Sequence, residues 1–526
     1  MPTARAGLAG LNRKIWHILP VAVLVVTTGL LLVWRFGSTY DPRGLLSSQV
    51  GADSSGGQKV PHQPAPEPEP HLHGEVEEPV SETQPDPQPQ SDFYTWRTST
   101  AYDLINNSTS LSQEEQCQHF PKHKLSKIQP VLKTGHQVLD RVRSSLQSTS
   151  ACLDNLLIFS DFDEEFEGHT VIDVIADIPD HVLRSDNQTD SYFALREAAS
   201  NREDAETMKA IEGWRLDKFK FLASISHAWK AAPEKRWYVF YEGDTYVVWD
   251  TVFRLLENFD ADGEHYFGSP SPGRDGTWFA NGGPGYIVSR GAMRKLVKGD
   301  WNHNTGEWLG SKLSEKYWAD VLTDCCGDSI LGWVLHDHGI DLKGLWPMFN
   351  PHPLHGVPFA DLYWCQPVLS MHKSWYEEEI DLWKWEWTQR QAHRPLLWRD
   401  IAISYFDLAN MTRKNDWDNA GWDAYPPAED DPNEPHSSVE ACSLACQEAD
   451  GCFQWTYHLQ RCSFVRSFRL GRAREPHVEE EKKDQEWTPE DKRYFAGWKT
   501  EHIQRWISER PCNEVQWVKP SIERIF

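Results

Sequence analysis

Residues Ile15–Trp34, IWHILPVAVLVVTTGLLLVW, form a run of twenty residues with no formal charge at neutral pH. A helix of that length spans the roughly 30 Å hydrocarbon core of a bilayer. Arg5, Arg13 and Lys14 precede it, which keeps a short tail, 1–14, in the cytoplasm. Arg35 and Arg43 follow it and weaken the asymmetry without reversing it. A cleaved signal peptide fits poorly, because Trp34-Arg35-Phe36 is not a small-residue cleavage site. The expectation is a single-pass type II protein with its signal anchor at 15–34 and the rest of the chain luminal.

Two other features fit that compartment. Sequons stand at Asn106, Asn107, Asn187 and Asn410. Ten cysteines occur at spacings better suited to disulfides than to zinc. The chain carries 53 basic and 78 acidic residues, a net charge of -25. That balance argues against a nucleic-acid or anionic-membrane surface, since either needs a basic field.

From 35 to 92 the chain reads as a tether. Nine prolines fall between Pro61 and Pro89 with almost no large apolar residues, so the segment cannot bury enough surface to fold. It has the character of an extended, acidic stem. Residues 93–422 read as a globular α/β domain. DNLLIFSDFDE has a buried strand that exits through Ser160 and Asp161, and RWYVFYEGDTY has another. Helical spacing follows in WRLDKFKFLASISHAWK and VVWDTVFRLLENF. Strands alternating with helices point to a layered α/β fold. Residues 423–435, containing AYPPAEDDPNEP, read as a linker. Beyond it, 436–526 hold Cys442, Cys446, Cys452 and Cys462 in a small disulfide-stapled module. Cys442 and Cys446 share one helix face, and Phe453, Trp455 and Tyr457 alternate as on a strand.

Glu242-Gly243-Asp244 places two carboxylates one residue apart at the end of an apolar strand. Hard oxygen ligands at such a turn suit a divalent ion that neutralises a diphosphate. Alone, this pattern also fits any polar exit from a strand.

Its company is more specific. Asp244-Thr245-Tyr246 is followed by Tyr266-Phe267-Gly268, then by Gly282-Gly283-Pro284-Gly285-Tyr286 with Ser289. In order and spacing the set resembles glycosyltransferase family 31, in particular its fungal branch, the core 1 β1,3-galactosyltransferases and the Fringe N-acetylglucosaminyltransferases. The likeness covers roughly residues 150–360. It implies a GT-A-like, Rossmann-type nucleotide-diphospho-sugar transferase core that uses Mn²⁺ or another divalent cation.

The resemblance also implies roles for particular residues. Asp244 is the principal metal ligand, with Glu242 auxiliary, and a histidine from the C-terminal end of the core completes the set. His355 is preferred over His352. His336 and His338 continue a helical stretch and read as solvent- or core-facing. TDCCGDSILGW aligns Asp328 with the family's general base, although the residue is also a good helix N-cap. Phe159, Ser160 and Asp161 meet the donor nucleotide together with Glu242 and Asp244. Trp278, Gly282, Gly283 and Tyr286 line the acceptor side. Two departures stand out, since Gly243 and Gly327 occupy positions that are acidic in the family. The aromatic run SWYEEEIDLWKWEW reads mainly as packing.

The C-terminal cluster resembles a PAN/Apple module, which implies the pairs Cys442–Cys462 and Cys446–Cys452 and a protein or carbohydrate ligand. Cys325 and Cys326, being adjacent, are expected to seek partners among Cys117, Cys152, Cys365 and Cys512. The expected function is an inverting, Golgi-resident transferase. It would move a sugar, galactose first, from a UDP-sugar to a glycan or glycoprotein acceptor in β1,3-linkage. The alternative is a transferase fold without activity that serves as a lectin or scaffold, for which Gly243 and Gly327 are the support.

Overall fold

A computed structural model describes residues 91–96, 102–105, 111–479 and 482–525. The anchor at 15–34, the stem to residue 90 and the sequons at Asn106 and Asn107 lie outside the described residues. Among the described residues no helix is long and apolar enough to cross a membrane.

The centre is a mixed eight-stranded sheet. Its strands are β1 (Ile128–Lys133), β2 (Leu157–Ser160), β3 (Glu164–Phe166), β4 (His169–Asp173) and β5 (Trp237–Glu242). After β6 (Thr245–Val247), which belongs elsewhere, come β7 (Tyr266–Gly268), a hairpin of β8 (Pro270–Pro272) and β9 (Trp278–Ala280), and β10 (Tyr286–Ser289). The last member is β11 (Lys343–Gly344). Spatial order is β11-β7-β10-β5-β1-β2-β4-β3. The run β5-β1-β2-β4 is parallel, and β10 lies antiparallel to both its neighbours.

Alternation along β5 shows why the sheet sits between two layers. Tyr238 and Phe240 enter one core with Phe221, Ile225 and Leu331, whereas Trp237, Val239 and Tyr241 enter the other with Trp249, Val252 and Leu369. Successive side chains leave a strand on opposite faces, so a strand apolar throughout needs cover on both sides. One cover is made by α2 (Asp217–Ala231) and α4 (Gly327–Asp337); α1 (Asp140–Leu146) and α3 (Trp249–Leu256) contribute to the other.

A second, three-stranded sheet matters more for the site. β12 (Phe349–Asn350) runs parallel to β13 (Ser370–His372), and β13 pairs antiparallel with β6. α5 (Tyr376–Gln389) follows.

In the C-terminal region, α6 (Val439–Glu448) packs on a five-stranded sheet. Its strands are β14 (Arg413–Asn415), β15 (Ala424–Tyr425), β16 (Gln454–His458), β17 (Arg461–Val465) and β18 (Phe495–Trp498). Cys442 and Cys446, both fully buried on α6, are bonded to Cys462 and Cys452. Two strands of this sheet, β14 and β15, come from residues before 436, and Ala424–Tyr425 of β15 lies inside the stretch read as a linker. The remaining cysteines correct one expectation. Cys117 pairs with Cys152 and Cys365 with Cys512, so Cys325 and Cys326 bond each other. The four distant cysteines are satisfied among themselves, and none approaches the turn before α4.

Candidate active site

β5 ends at Glu242, the chain turns through Gly243 and Asp244, and β6 leaves at Thr245. Antiparallel pairing sets His372 of β13 opposite Thr245, so the imidazole falls against the acidic turn. Ligand atoms of Glu242, Asp244 and His372 all lie within 4.8 Å of one another. His372 Nε2 is 3.4 Å from an Asp244 oxygen and 3.6 Å from a Glu242 oxygen. Burial would depress this imidazole, but the two carboxylates outweigh it and push His372 up to about 9. Burial also works against ionised Glu242, yet Lys133 and His372 hold its carboxyl well below the usual range. Two carboxylates and one imidazole make a donor set that suits Mn²⁺ or a similar divalent cation.

The histidine in this group is therefore His372, where the sequence had pointed to His355. His355 instead bonds through Nδ1 to Glu378 Oε1 at 2.7 Å and packs on Trp375 with ring centroids 4.4 Å apart. Burial pushes His352 down to about 4, a ring kept neutral in the protein interior. His336 lies exposed and pairs with Asp341. The signal for His372 was available: VLSMH is a short apolar run ending in a potential ligand.

The glycine-rich loop is fastened to the acidic turn. Thr245 Oγ1 donates to the Gly283 carbonyl at 2.6 Å. A Cβ at Gly283 would lie 2.2 Å from the His372 ring, so only glycine lets the ring approach. The neighbouring Gly282 N–H donates to Asp328 Oδ2 at 2.8 Å, and Ser329 N–H donates to Oδ1 at 2.9 Å. Asp328 is not the N-cap of α4. That place belongs to Cys326, and Asp328 stands in the first turn. Burial pushes its carboxyl up to about 6, with the Gly282 and Ser329 amides opposing and the charge of Glu242 adding to the rise.

Beside this turn opens a cavity of about 260 Å³ whose lining includes Thr134, Asp161, Trp214, Lys220, Glu242 and Asp244. Lys133 ends β1 and bonds Asp217 at 2.6 Å and Glu242 at 3.1 Å. Burial opposes its charge, but those two carboxylates raise it well above the ordinary lysine range. Lys220 on α2 reaches Asp161 at 3.2 Å and the Thr134 carbonyl at 2.6 Å. Of the expected donor triplet, Asp161 reaches the cavity, its Oδ1 also accepting the His136 N–H at 2.9 Å. Phe159 and Ser160 are fully buried, and the Phe159 ring packs on His227. Sequence reasoning passed over Lys133 and Lys220; the cue for Lys133 was the Lys-Thr-Gly that follows the apolar IQPVL.

On the acceptor side, Gly282 and Gly283 stand at the site, and Trp278 is half-buried in the hairpin β8–β9. Tyr286 is a core residue, buried and stacked on Phe240 at 4.9 Å. Of the two positions that lack a carboxylate, Gly327 has no room for a side chain, whereas Gly243 is only tightly packed. A Cβ at Gly327 would lie 2.2 Å from Phe221, and one at Gly243 would lie 3.2 Å from Val142. Of the sequons within the described residues, Asn187 and Asn410 are exposed.

Residues 194–340 match a family model described as Fringe-like. This supports a glycosyltransferase of the family 31 kind, with a sugar donor and a glycan acceptor. The matched segment contains Glu242, Asp244, Gly282, Gly283 and Asp328, and it ends before His372. No curated protein matches the chain.

Proposed function

We propose that this chain is an inverting, UDP-sugar-dependent hexosyltransferase with a GT-A-like core. It transfers a sugar, galactose first, to a glycan or glycoprotein acceptor in β-linkage, β1,3 by the family likeness. One observation carries the reading. The cation-ligand group Glu242, Asp244 and His372 is joined through the Thr245–Gly283 and Gly282–Asp328 hydrogen bonds to a half-buried carboxyl suited to be a base.

A divalent cation such as Mn²⁺, held by Glu242, Asp244 and His372, would supply positive charge for the departing diphosphate. Asp328 takes the proton from the acceptor hydroxyl onto a carboxylate oxygen as that hydroxyl attacks the anomeric carbon. The bond from that carbon to the diphosphate oxygen breaks, UDP leaves, and attack from the opposite face gives the β-anomer. Each Asp328 oxygen already accepts one backbone N–H, which fixes the carboxylate plane while leaving a lone pair for the proton. The Gly282 loop and the base therefore keep one relative position.

The type II anchor at 15–34, Golgi residence, glycosylation at the exposed sequons, and a protein or carbohydrate ligand for the PAN/Apple-like region all belong to this reading. The inactive-scaffold alternative rests on the carboxylates absent at Gly243 and Gly327. The test is a screen of UDP-sugars with the fragment beginning near Asp92, with and without Mn²⁺, followed by linkage analysis. Mn²⁺-dependent β-transfer is expected. Metal-dependent UDP binding with no transfer to any glycan would favour the scaffold.

A further inference from the structure

Three cations line the cavity beside the acidic turn: Lys133, Lys220 and Arg141. Two are locked. The Lys133 side chain is 7 % exposed and bonded to Asp217 and Glu242, and Lys220 is 3 % exposed and bonded to Asp161 and Asp217. Arg141 differs, because its side chain is 60 % exposed. Its guanidinium makes one ion pair among the described residues, Nη1 to Asp244 Oδ2 at 3.3 Å. The two carboxylates of the turn are therefore held differently. Both meet His372, but Glu242 is also gripped from inside by a buried lysine and Asp244 from the solvent side by an exposed arginine. An exposed pair of this kind is weak and readily exchanged, whereas a buried one is not.

Gly243 lies between the two carboxylates and beside Arg141. A Cβ there would lie 3.2 Å from Val142 and 3.4 Å from the Arg141 carbonyl carbon, so the turn packs closely on the start of α1.

Resting on the function proposed above, we infer that Arg141 is an exchangeable counter-ion and a positioning residue for the diphosphate. Without a divalent cation it shares Asp244 with His372, whose Nε2 lies 3.4 Å from that carboxylate. When the cation takes Asp244, Arg141 is released into the cavity as its one cation not already committed to a buried pair, and there it meets the diphosphate of the nucleotide. It thus opposes binding of the cation alone and favours binding of cation and nucleotide together. Arginine suits this exchange, since its fork pairs with carboxylate and phosphate alike.

The test uses the full chain in detergent, with Mn²⁺ binding followed by electron paramagnetic resonance and UDP binding by calorimetry at saturating Mn²⁺. Arg141→Gln should bind Mn²⁺ alone about threefold or more tightly, because its competitor is gone, and should bind UDP at least about tenfold more weakly. Arg141→Lys should fall between Arg141→Gln and the wild type in both. Arg143→Gln, which alters a neighbouring exposed arginine paired with Glu167, should leave both affinities unchanged. Opposite movement of the two affinities is what a merely structural role would not produce. Unchanged or weaker Mn²⁺ binding by Arg141→Gln, or unchanged UDP binding, overturns the inference while leaving the site reading intact. A wild-type chain that binds neither Mn²⁺ nor UDP overturns both.

Discussion

The backbone N–H of Gly282 donates to the carboxylate of Asp328 at 2.8 Å, although 46 residues separate the two. That bond joins the glycine-rich loop to the first turn of α4 and orients the proposed base. Replacing Asp328 by Ala should lower transfer by about 10²–10⁴-fold, the usual contribution of a general base. UDP binding should persist, because Asp328 does not line the cavity beside the acidic turn. Single-turnover transfer and UDP calorimetry on the same preparation separate the two outcomes.

The raised carboxyl of Asp328 sets a pH limit. Its folded value of about 6 lies above the ordinary aspartate value of 3.8, so it is a carboxylate above about pH 6 and a neutral acid below. Only the carboxylate can take a proton. Transfer at saturating substrate should therefore fall as pH drops through about 6, by about tenfold per unit below it, and be flat above it. A profile that stays flat down to pH 4.5 removes Asp328 from the role.

The two candidate histidines should separate cleanly. His372→Ala removes a group that meets both Glu242 and Asp244, so Mn²⁺-dependent UDP binding should weaken at least about tenfold. His355→Ala breaks the pair with Glu378 and should lower the melting temperature while leaving that affinity unchanged. The measurement is UDP affinity at fixed Mn²⁺, read beside a thermal melt.

Introducing an acidic residue at 327 should harm the protein. A Cβ there would meet Phe221 at 2.2 Å and the Lys218 backbone at 2.8 Å. Overpacking of this sort costs about 1–3 kcal/mol. Gly327→Asp should therefore show a lower urea midpoint and no gain in transfer.

The bond between Cys365 and Cys512 spans 147 residues and ties the C-terminal region to the core. Substituting both cysteines by serine should destabilise the fold by about 2–5 kcal/mol, read from urea unfolding. A change near zero would mean that the packing of Phe359 on Phe468 and the Gly471–His355 hydrogen bond suffice to hold the regions together.

Much of this protein was legible along the chain because the deciding signals are local. A strand apolar throughout, such as WYVFYE, requires cover on both faces, which implies a layered α/β core. Glu242 and Asp244 sit at a strand end, and the glycine loop and Asp328 keep a fixed order that a linear reading can detect. Cys442 and Cys446 share a helix face because they are four residues apart. Tertiary structure alone decided the rest, because those relations depend on which distant strands pair. His372 meets the acidic turn because β13 chose β6 as its partner in that register, and a one-residue slip would have turned its side chain to the other face. His355, equally plausible by sequence, was taken up by Glu378. Gly327 reads along the chain as a position without its carboxylate, and only the fold shows Phe221 packed where a side chain there would stand. Steric room is a property of neighbours in space, and the chain does not spell it out.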